Sequence, residues 1–284
     1  MTSARARFNS ELTFEGALDY CRKLDSMAKR IARVDAELGP LTDDRLTADV
    51  SVWQREKGHR FSSDDVVTAF VAWQTQPAPA SLLDLGCGLG SVLLHLVWKM
   101  PAVRAVGVEA QDQSFKLLGE NVARSTFADR ITIHHGDLRD AAVVRALGTG
   151  FDLVTGTPPY FPPGRAIDSV DEQRTQARME IRGGVEAYIE TAARVVHPAG
   201  GVVLCGDGEA DARVMRAAAA HGMCVVARLD VIPRFARPVL FSVWTLRPAA
   251  ILNAAEPVTS SMTLRDAEGA PTSDAAALRA FSGF

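Results

Sequence analysis

The chain has 284 residues, 47% of them apolar and 23% charged, and a formal net charge of −3 at pH 7. That length holds one sizeable domain with a decoration or two small ones, and the composition is ordinary for a soluble globular protein. The charge excludes a global basic field that gathers nucleic acid, which leaves a local arginine patch as the means of doing so.

No apolar run reaches the length of a membrane span, since "SVLLHLVWKM" is short and interrupted by His95 and Lys99. The N-terminus carries Arg5 and Arg7 but no apolar stretch of the kind a secretory signal needs. Cys21, Cys87, Cys205 and Cys224 are scattered without a C-x-x-C pair. This argues against a zinc site or a disulfide framework and fits a reducing cytoplasm.

In chain order, Phe14, Ala17, Leu18, Cys21, Leu24, Ala28 and Ile31 recur at three- and four-residue spacing. They predict an amphipathic helix over 12–38, ended by Gly39-Pro40, within an N-terminal extension of residues 1–43. This helix either packs on the domain or pairs with a second copy as a homodimer, and the sequence leaves both open. "LTADVSVWQ" reads as a short strand, and "SSDDVVTAFVAWQ" as a helix capped by Ser62 or Ser63 with aspartates in its first turn.

From residue 81, strands and helices alternate. "SLLDLG", "VRAVGVE", "RITIHHGD", "FDLVTG", "GGVVLCG", "CVVARLDV" and "VLFSVWTL" give seven strands, and one long helix is expected over roughly 172–196. The fold class is therefore α/β, a Rossmann-like doubly wound parallel sheet. The last two strands are joined by "IPRFARP", too short for a crossover helix, so the final strand is expected to run antiparallel. The core domain spans 44–250, with a tail of 251–284 packing on it.

"LLDLGCGLGS" sets Gly86, Cys87, Gly88 and Gly90 between a strand and a helix, where a cofactor can approach the backbone. The dinucleotide fingerprint requires glycine at position 91, which is Ser91, so a nicotinamide enzyme is disfavoured. Asp84 suits a cofactor that carries an ammonium group. Glu109, 19 residues after Gly90, is placed to accept from two ribose hydroxyls, and Asp137 to bond an adenine amino group. His134-His135 end a strand nearby, and the pattern needs no metal. Cys87 reads as a small filler.

The fourth strand runs into "TPPYF". Pro158 and Pro159 stop the ladder, so Thr157, Tyr160 and Phe161 leave the sheet in a rigid, extended form.

D-x-G-x-G-x-G, then Glu109, then Asp137, resembles the class I methyltransferase pattern for S-adenosylmethionine. "TPPY" resembles the [D/N/S]-P-P-[Y/F/W] motif of enzymes that methylate adenine N6, cytosine N4 or glutamine amide nitrogen. "GHRFSSDDVV", "RTQARME", "RPVLF" and the tail "MTLRDAEGAPTSDAAALRAF" extend the likeness to the bacterial tRNA(Val) adenine-N6-methyltransferases, over residues 44–284.

The resemblance implies that Thr157 and the Pro158 carbonyl accept the amino hydrogens, with Pro159 stiffening the turn. Tyr160 and Phe161 would support the base plane, Arg60 and Phe61 close over the cofactor, and Thr157 border it. Arg178, in the Ala-Arg-x-Glu run, falls on the substrate side. His59 and Thr157 stand where the family has an aromatic and an asparagine. The implied partner is structured RNA, with tRNA foremost. The alternatives are a small-molecule or protein side-chain amine as acceptor, or a cofactor-binding module without turnover.

Overall fold

The computed structural model describes residues 30–161, 171–251 and 256–284. The chain divides into two compact units, Met1–Thr42 with Arg55–Lys57, and Asp43–Gln54 with Gly58–Phe284. In the first, residues 30–38 form helix α1, on which Val34 and Leu38 are buried. It ends where Gly39, at φ +84°, donates its N–H to Asp35 O at 2.9 Å, a left-handed turn that glycine takes without steric cost. Arg55 Nε donates to Leu38 O at 2.7 Å. The expected helical stretch 12–29 lies outside the described residues.

Strands β1 (Leu41–Arg45) and β2 (Ser51–Arg55) flank a turn in which the Leu46 N–H donates to Val50 O at 2.9 Å. β1 gave no sequence signal, because "LTDDR" holds two acids and no apolar alternation. Helix α2 (Ser63–Thr75) opens with Ser62 as N-cap, whose backbone N–H donates to Asp65 Oδ2 at 2.9 Å.

Seven strands then alternate with helices: β3 (Ser81–Leu85), α3 (Ser91–Lys99), β4 (Arg104–Glu109), α4 (Asp112–Arg124), β5 (Ile131–His135), α5 (Ala141–Leu147) and β6 (Phe151–Gly156), followed by α6 (Glu172–Arg178), α7 (Val185–Val195), β7 (Val196–Gly206), α8 (Asp211–Ala220), β8 (Met223–Ile232) and β9 (Phe241–Pro248). Two further elements close the chain, β10 (Val258–Thr263) and α9 (Ser273–Phe281).

The main sheet has the order β10-β8-β9-β7-β6-β3-β4-β5. β9 runs against both β7 and β8, and the other described pairings are parallel. The seventh core strand is thus the reversed one. The tail adds an eighth, β10, whose mostly exposed "VTSSMT" has no apolar run to announce it.

β3 lies between β4 and β6, so the chain winds outward to β5 and then returns to the other side of β3. Ligands bind outside the carboxyl ends of the strands at such a switch point. Leu82, Leu83 and Leu85 of β3 and Leu153 and Val154 of β6 are fully buried, as central parallel strands covered on both faces require. Each such leucine contributes about 1.5–3 kcal/mol of burial. On α7, Val185, Ile189, Ala192 and Val195 give the helix one apolar stripe against this core.

The single helix expected over 172–196 is broken into α6, a 3-10 turn at Glu180–Arg182, and α7. The break follows from Phe161, whose N–H donates to Arg178 O at 3.0 Å and whose carbonyl accepts from Glu180 N at 2.9 Å. Gly183, at φ +90°, then turns the chain before α7.

Buried Asn121 of α4 ties the β2 strand to the glycine loop. Its Oδ1 accepts from Trp53 N at 2.7 Å, and its Nδ2 donates to Trp53 O at 3.1 Å and Leu89 O at 3.0 Å. Asn121→Ala strands three buried backbone groups, so it should destabilise the protein by on the order of 3 kcal/mol. Thermal unfolding checks this: a Tm lowered by several degrees is expected, and a Tm within about 1 °C of wild type would remove Asn121 from that role.

Candidate functional site

The carboxyl ends of β3, β4, β5 and β6 open into a cavity. Gly86, Cys87, Gly88, Glu109, Asp137, Thr157, Pro159 and Phe61 all line it. The glycine loop owes its shape to two positions above all. Gly86 has φ +59°, and a Cβ there would stand 2.1 Å from Tyr188 Oη. Gly88 has φ +56° with nothing within 4 Å of a built Cβ, so its backbone faces open space. Gly90, at φ +96°, caps α3 and does not line the cavity.

The Gly88 N–H donates to Glu109 Oε2 at 2.8 Å, and Gln111 N donates to Oε1 at 2.7 Å. Burial pushes the Glu109 carboxyl above its usual pKa, and these amides pull it back. Asp84 is buried behind the cavity wall rather than lining it. Thr155 Oγ1 donates to its Oδ1 at 2.7 Å, while Oδ2 has no hydrogen-bond partner. Burial pushes the Asp84 pKa up to about 7.

Asp137 is already engaged by Arg139, through Nε at 3.0 Å and Nη2 at 2.7 Å, which holds its carboxyl below the usual range. Cys87 is buried, and burial raises its thiol well above the ordinary range, so it carries no thiolate.

Asp65, noted in the sequence only as a first-turn acid, also lines the cavity. Ser91 Oγ donates to its Oδ1 at 2.9 Å, joining α2 to the start of α3. Burial, with Asp64 beside it, pushes Asp65 up to about 7.

A second cavity lies on the other side of the Thr-Pro-Pro-Tyr turn. Thr157, Pro158, Pro159, Tyr160, Phe161 and Arg178 line it, with Arg174, Leu240 and Phe241. Thr157, Pro159, Phe61, His59 and Asp65 face both cavities. Arg60 faces only the second, and its guanidinium pairs with Asp44 at 2.9 Å.

The Tyr160 hydroxyl donates to Asp64 Oδ2 at 3.0 Å and stands 3.1 Å from Cys205 Sγ, which fixes the ring. Burial raises its pKa well above the ordinary value. The Arg178 guanidinium lies 5.5 Å from the Phe161 ring centre. Burial holds the His59 imidazole below its usual pKa, with Asp64 acting against that and Arg174 and Arg178 reinforcing it. His59 is thus mostly neutral at pH 7, a boundary residue at the position where the resemblance has an aromatic.

His135 stacks on Phe115 at 4.5 Å and pairs with Asp112 at 3.1 Å, away from both cavities. Among the described residues no cluster of His, Cys, Asp and Glu is arranged to hold a metal, and no helix is long and apolar enough to cross a membrane.

No family profile matches the chain. The chain is 30% identical over 218 residues to the tRNA1(Val) (adenine(37)-N6)-methyltransferase of Porphyromonas gingivalis, covering 74% of this chain and 83% of that protein. The chain belongs to this methyltransferase family. The enzyme of the same name from Yersinia pestis is 29% identical over 199 residues, covering 70% of this chain and 77% of its own length. A crystal structure from Agrobacterium tumefaciens, described as a predicted O-methyltransferase, superposes with a TM-score of 0.58 at 16% identity. It covers 77% of this chain and 96% of its own, and shares the fold.

The chain is thus an S-adenosylmethionine-dependent methyltransferase. The first cavity fits that cofactor. Gly88 leaves its backbone open to a close ligand, and the orphaned Asp84 Oδ2 and the buried Glu109 and Asp65 favour a ligand with cationic groups.

The raised Asp84 pKa has a consequence for stability. In the cofactor-free protein the group holds a proton that the unfolded chain releases, so its contribution is complete below about pH 4 and is lost as pH rises towards about 7. Asp84→Asn cannot ionise, and it should raise the Tm of the cofactor-free protein by several degrees at pH 8 and far less at pH 5. Calorimetric scans at both values check this. Equal shifts at the two would show that the Asp84 pKa is not raised.

Proposed function

We propose that this methyltransferase acts on the exocyclic N6 of an adenine in tRNA, at an unpaired base that enters the second cavity. The names of its relatives supply the substrate class. The observation that carries the reading is the Thr-Pro-Pro-Tyr turn, which supplies Thr157 and Pro159 to the wall between the two cavities. S-adenosylmethionine, when bound, supplies an electrophilic methyl group.

The protein's own work is binding and aiming. The open Gly88 backbone and the Glu109 carboxylate would hold the cofactor, and Asp84 and Asp65, once ionised beside its cationic groups, would contribute negative field from behind and beside it. Phe61 covers both compartments. An adenine N6 is a poor nucleophile because its lone pair is delocalised into the ring. Thr157 Oγ and the Pro158 carbonyl accept its two hydrogens, which pulls the lone pair out of conjugation and towards the methyl group. The prolines keep that carbonyl from turning away. Tyr160, its hydroxyl anchored on Asp64, offers a fixed ring against which the base plane rests.

Arg60 belongs to the acceptor side in this reading, because it faces only the second cavity. Asp137 engages an adenine amino group only as part of its pair with Arg139.

Thr157→Val is nearly isosteric and removes the acceptor. It should lower kcat roughly 10- to 1000-fold while leaving cofactor affinity within about twofold. Steady-state methyl transfer to tRNA together with calorimetric cofactor titration checks both halves. Wild-type kcat in this variant would remove the hydroxyl from the amine clamp, and a parallel loss of cofactor binding would assign Thr157 to the cofactor instead.

A further inference from the structure

The loop between β8 and β9 has no part in the machinery above, although it leads straight into it. Residues 234–240, "RFARPVL", are all exposed. Phe235 is 64% exposed and Leu240 52%, high values for large apolar side chains on a chain with a well-filled core. The same seven residues carry Arg234 and Arg237 and no acid. Leu240 is at once the end of this loop and part of the wall of the second cavity.

The loop is held in shape. Arg237 N donates to Arg234 O at 3.0 Å, closing a tight turn, and Phe235 N donates to Arg265 O at 2.8 Å. Leu240 N donates to Val231 O at 2.8 Å, and the Arg234 guanidinium donates to Ala267 O. Ala236 sits at φ +58°, a left-handed conformation that is unfavourable for a residue with a Cβ. Pro233 and Pro238 stiffen both flanks. The result is a preformed turn that presents one aromatic ring and two guanidinium groups to solvent.

We propose that this turn is a docking platform for RNA next to the target base, with Phe235 stacking on an unpaired neighbouring nucleotide and Arg237 contacting the backbone phosphate. The inference rests on the reading of tRNA as substrate. Leu240 follows Phe235 by five positions, a reach of at most about 18 Å, so the platform stands within a few nucleotides of the cavity mouth.

Charge complementarity favours RNA over a protein or a second copy. The chain is acidic overall, yet the only charged residues of the exposed turn are arginines, whereas the cavity wall beyond it mixes Arg60, Arg174 and Arg178 with Asp64 and Asp65. The adjoining turn contributes Arg265 together with Asp266 and Glu268, so the positive field is confined to the 234–240 tip. Aromatic stacking beside arginines is the usual means of holding single-stranded nucleotides without reading their sequence.

The test is tRNA binding measured by fluorescence anisotropy, alongside methyl-transfer kinetics, for wild type, Phe235→Ala, Phe235→Trp and Arg237→Ala. Phe235→Ala should weaken tRNA binding and raise KM about 5- to 100-fold, with kcat and cofactor affinity near wild type. Phe235→Trp should retain binding, which a merely structural role for the ring would not require. Arg237→Ala should weaken binding and flatten its salt dependence by roughly one charge.

Unchanged tRNA affinity in Phe235→Ala would overturn the proposal, as would sedimentation showing that this variant dissociates a wild-type dimer. Wild-type protein that binds tRNA through Phe235 but transfers no methyl group to it would sink the proposed function and leave the platform standing.

Discussion

Three carboxyl groups are buried at one end of the main sheet without an ion-paired cation among the described residues: Asp65, Asp84 and Glu109. Burying charge without a partner is expensive, and the fold meets part of that cost with neutral donors. Ser91 and the Ser62 amide serve Asp65, Thr155 serves one oxygen of Asp84, and the Gly88 and Gln111 amides serve Glu109. The remainder of the cost appears as carboxyls pushed towards protonation. A methyl donor with a sulfonium and an ammonium group would supply the missing positive charge. Under the proposed function, the same acids that weaken the cofactor-free protein would draw the cofactor into the first cavity, an exchange of stability for function.

The segment from His59 to Asp65 holds the two halves of the site together. Asp65 reaches the glycine-loop side through Ser91, and Asp64 reaches the Thr-Pro-Pro-Tyr turn through the Tyr160 hydroxyl. Two adjacent acids at one helix start therefore tie the walls of both cavities to α2. Phe161 extends the arrangement by pairing its backbone with Arg178 and Glu180, which places Arg174, Ala177 and Arg178 along the acceptor wall. The helix break that this pairing causes is the structural basis of that wall.

Much of this was legible in the sequence, because the signals were local. Apolar runs cut by glycine and proline reveal parallel strands, and the glycines after "LLDL" reveal a loop that lines the first cavity through Gly86 and Gly88, while Gly90 caps α3. Two prolines after "FDLVTG" reveal a rigid strand exit. The features that escaped depend on partners distant in the chain. Asp84 retreats behind the cavity wall because Thr155, 71 residues away, takes one of its oxygens. Arg60 turns to the acceptor side, where Asp44 pairs with it. β10 joins the sheet through β8, with a polar sequence that has no pattern of its own. The break in the 172–196 helix needs Phe161, which no helical periodicity within that stretch could announce.

In the proposed function a cofactor cavity and an acceptor cavity share the Thr-Pro-Pro-Tyr wall, so that a methyl group passes to an adenine amine of tRNA. The most direct measurement incubates the purified protein with methyl-labelled S-adenosylmethionine and, separately, unmodified tRNA, a protein extract and a metabolite pool. Digestion to nucleosides and mass spectrometry then locate the label. Label is expected in tRNA, recovered as N6-methyladenosine. Label confined to protein or to a small amine, or recovered from tRNA at an oxygen or carbon position, would contradict it.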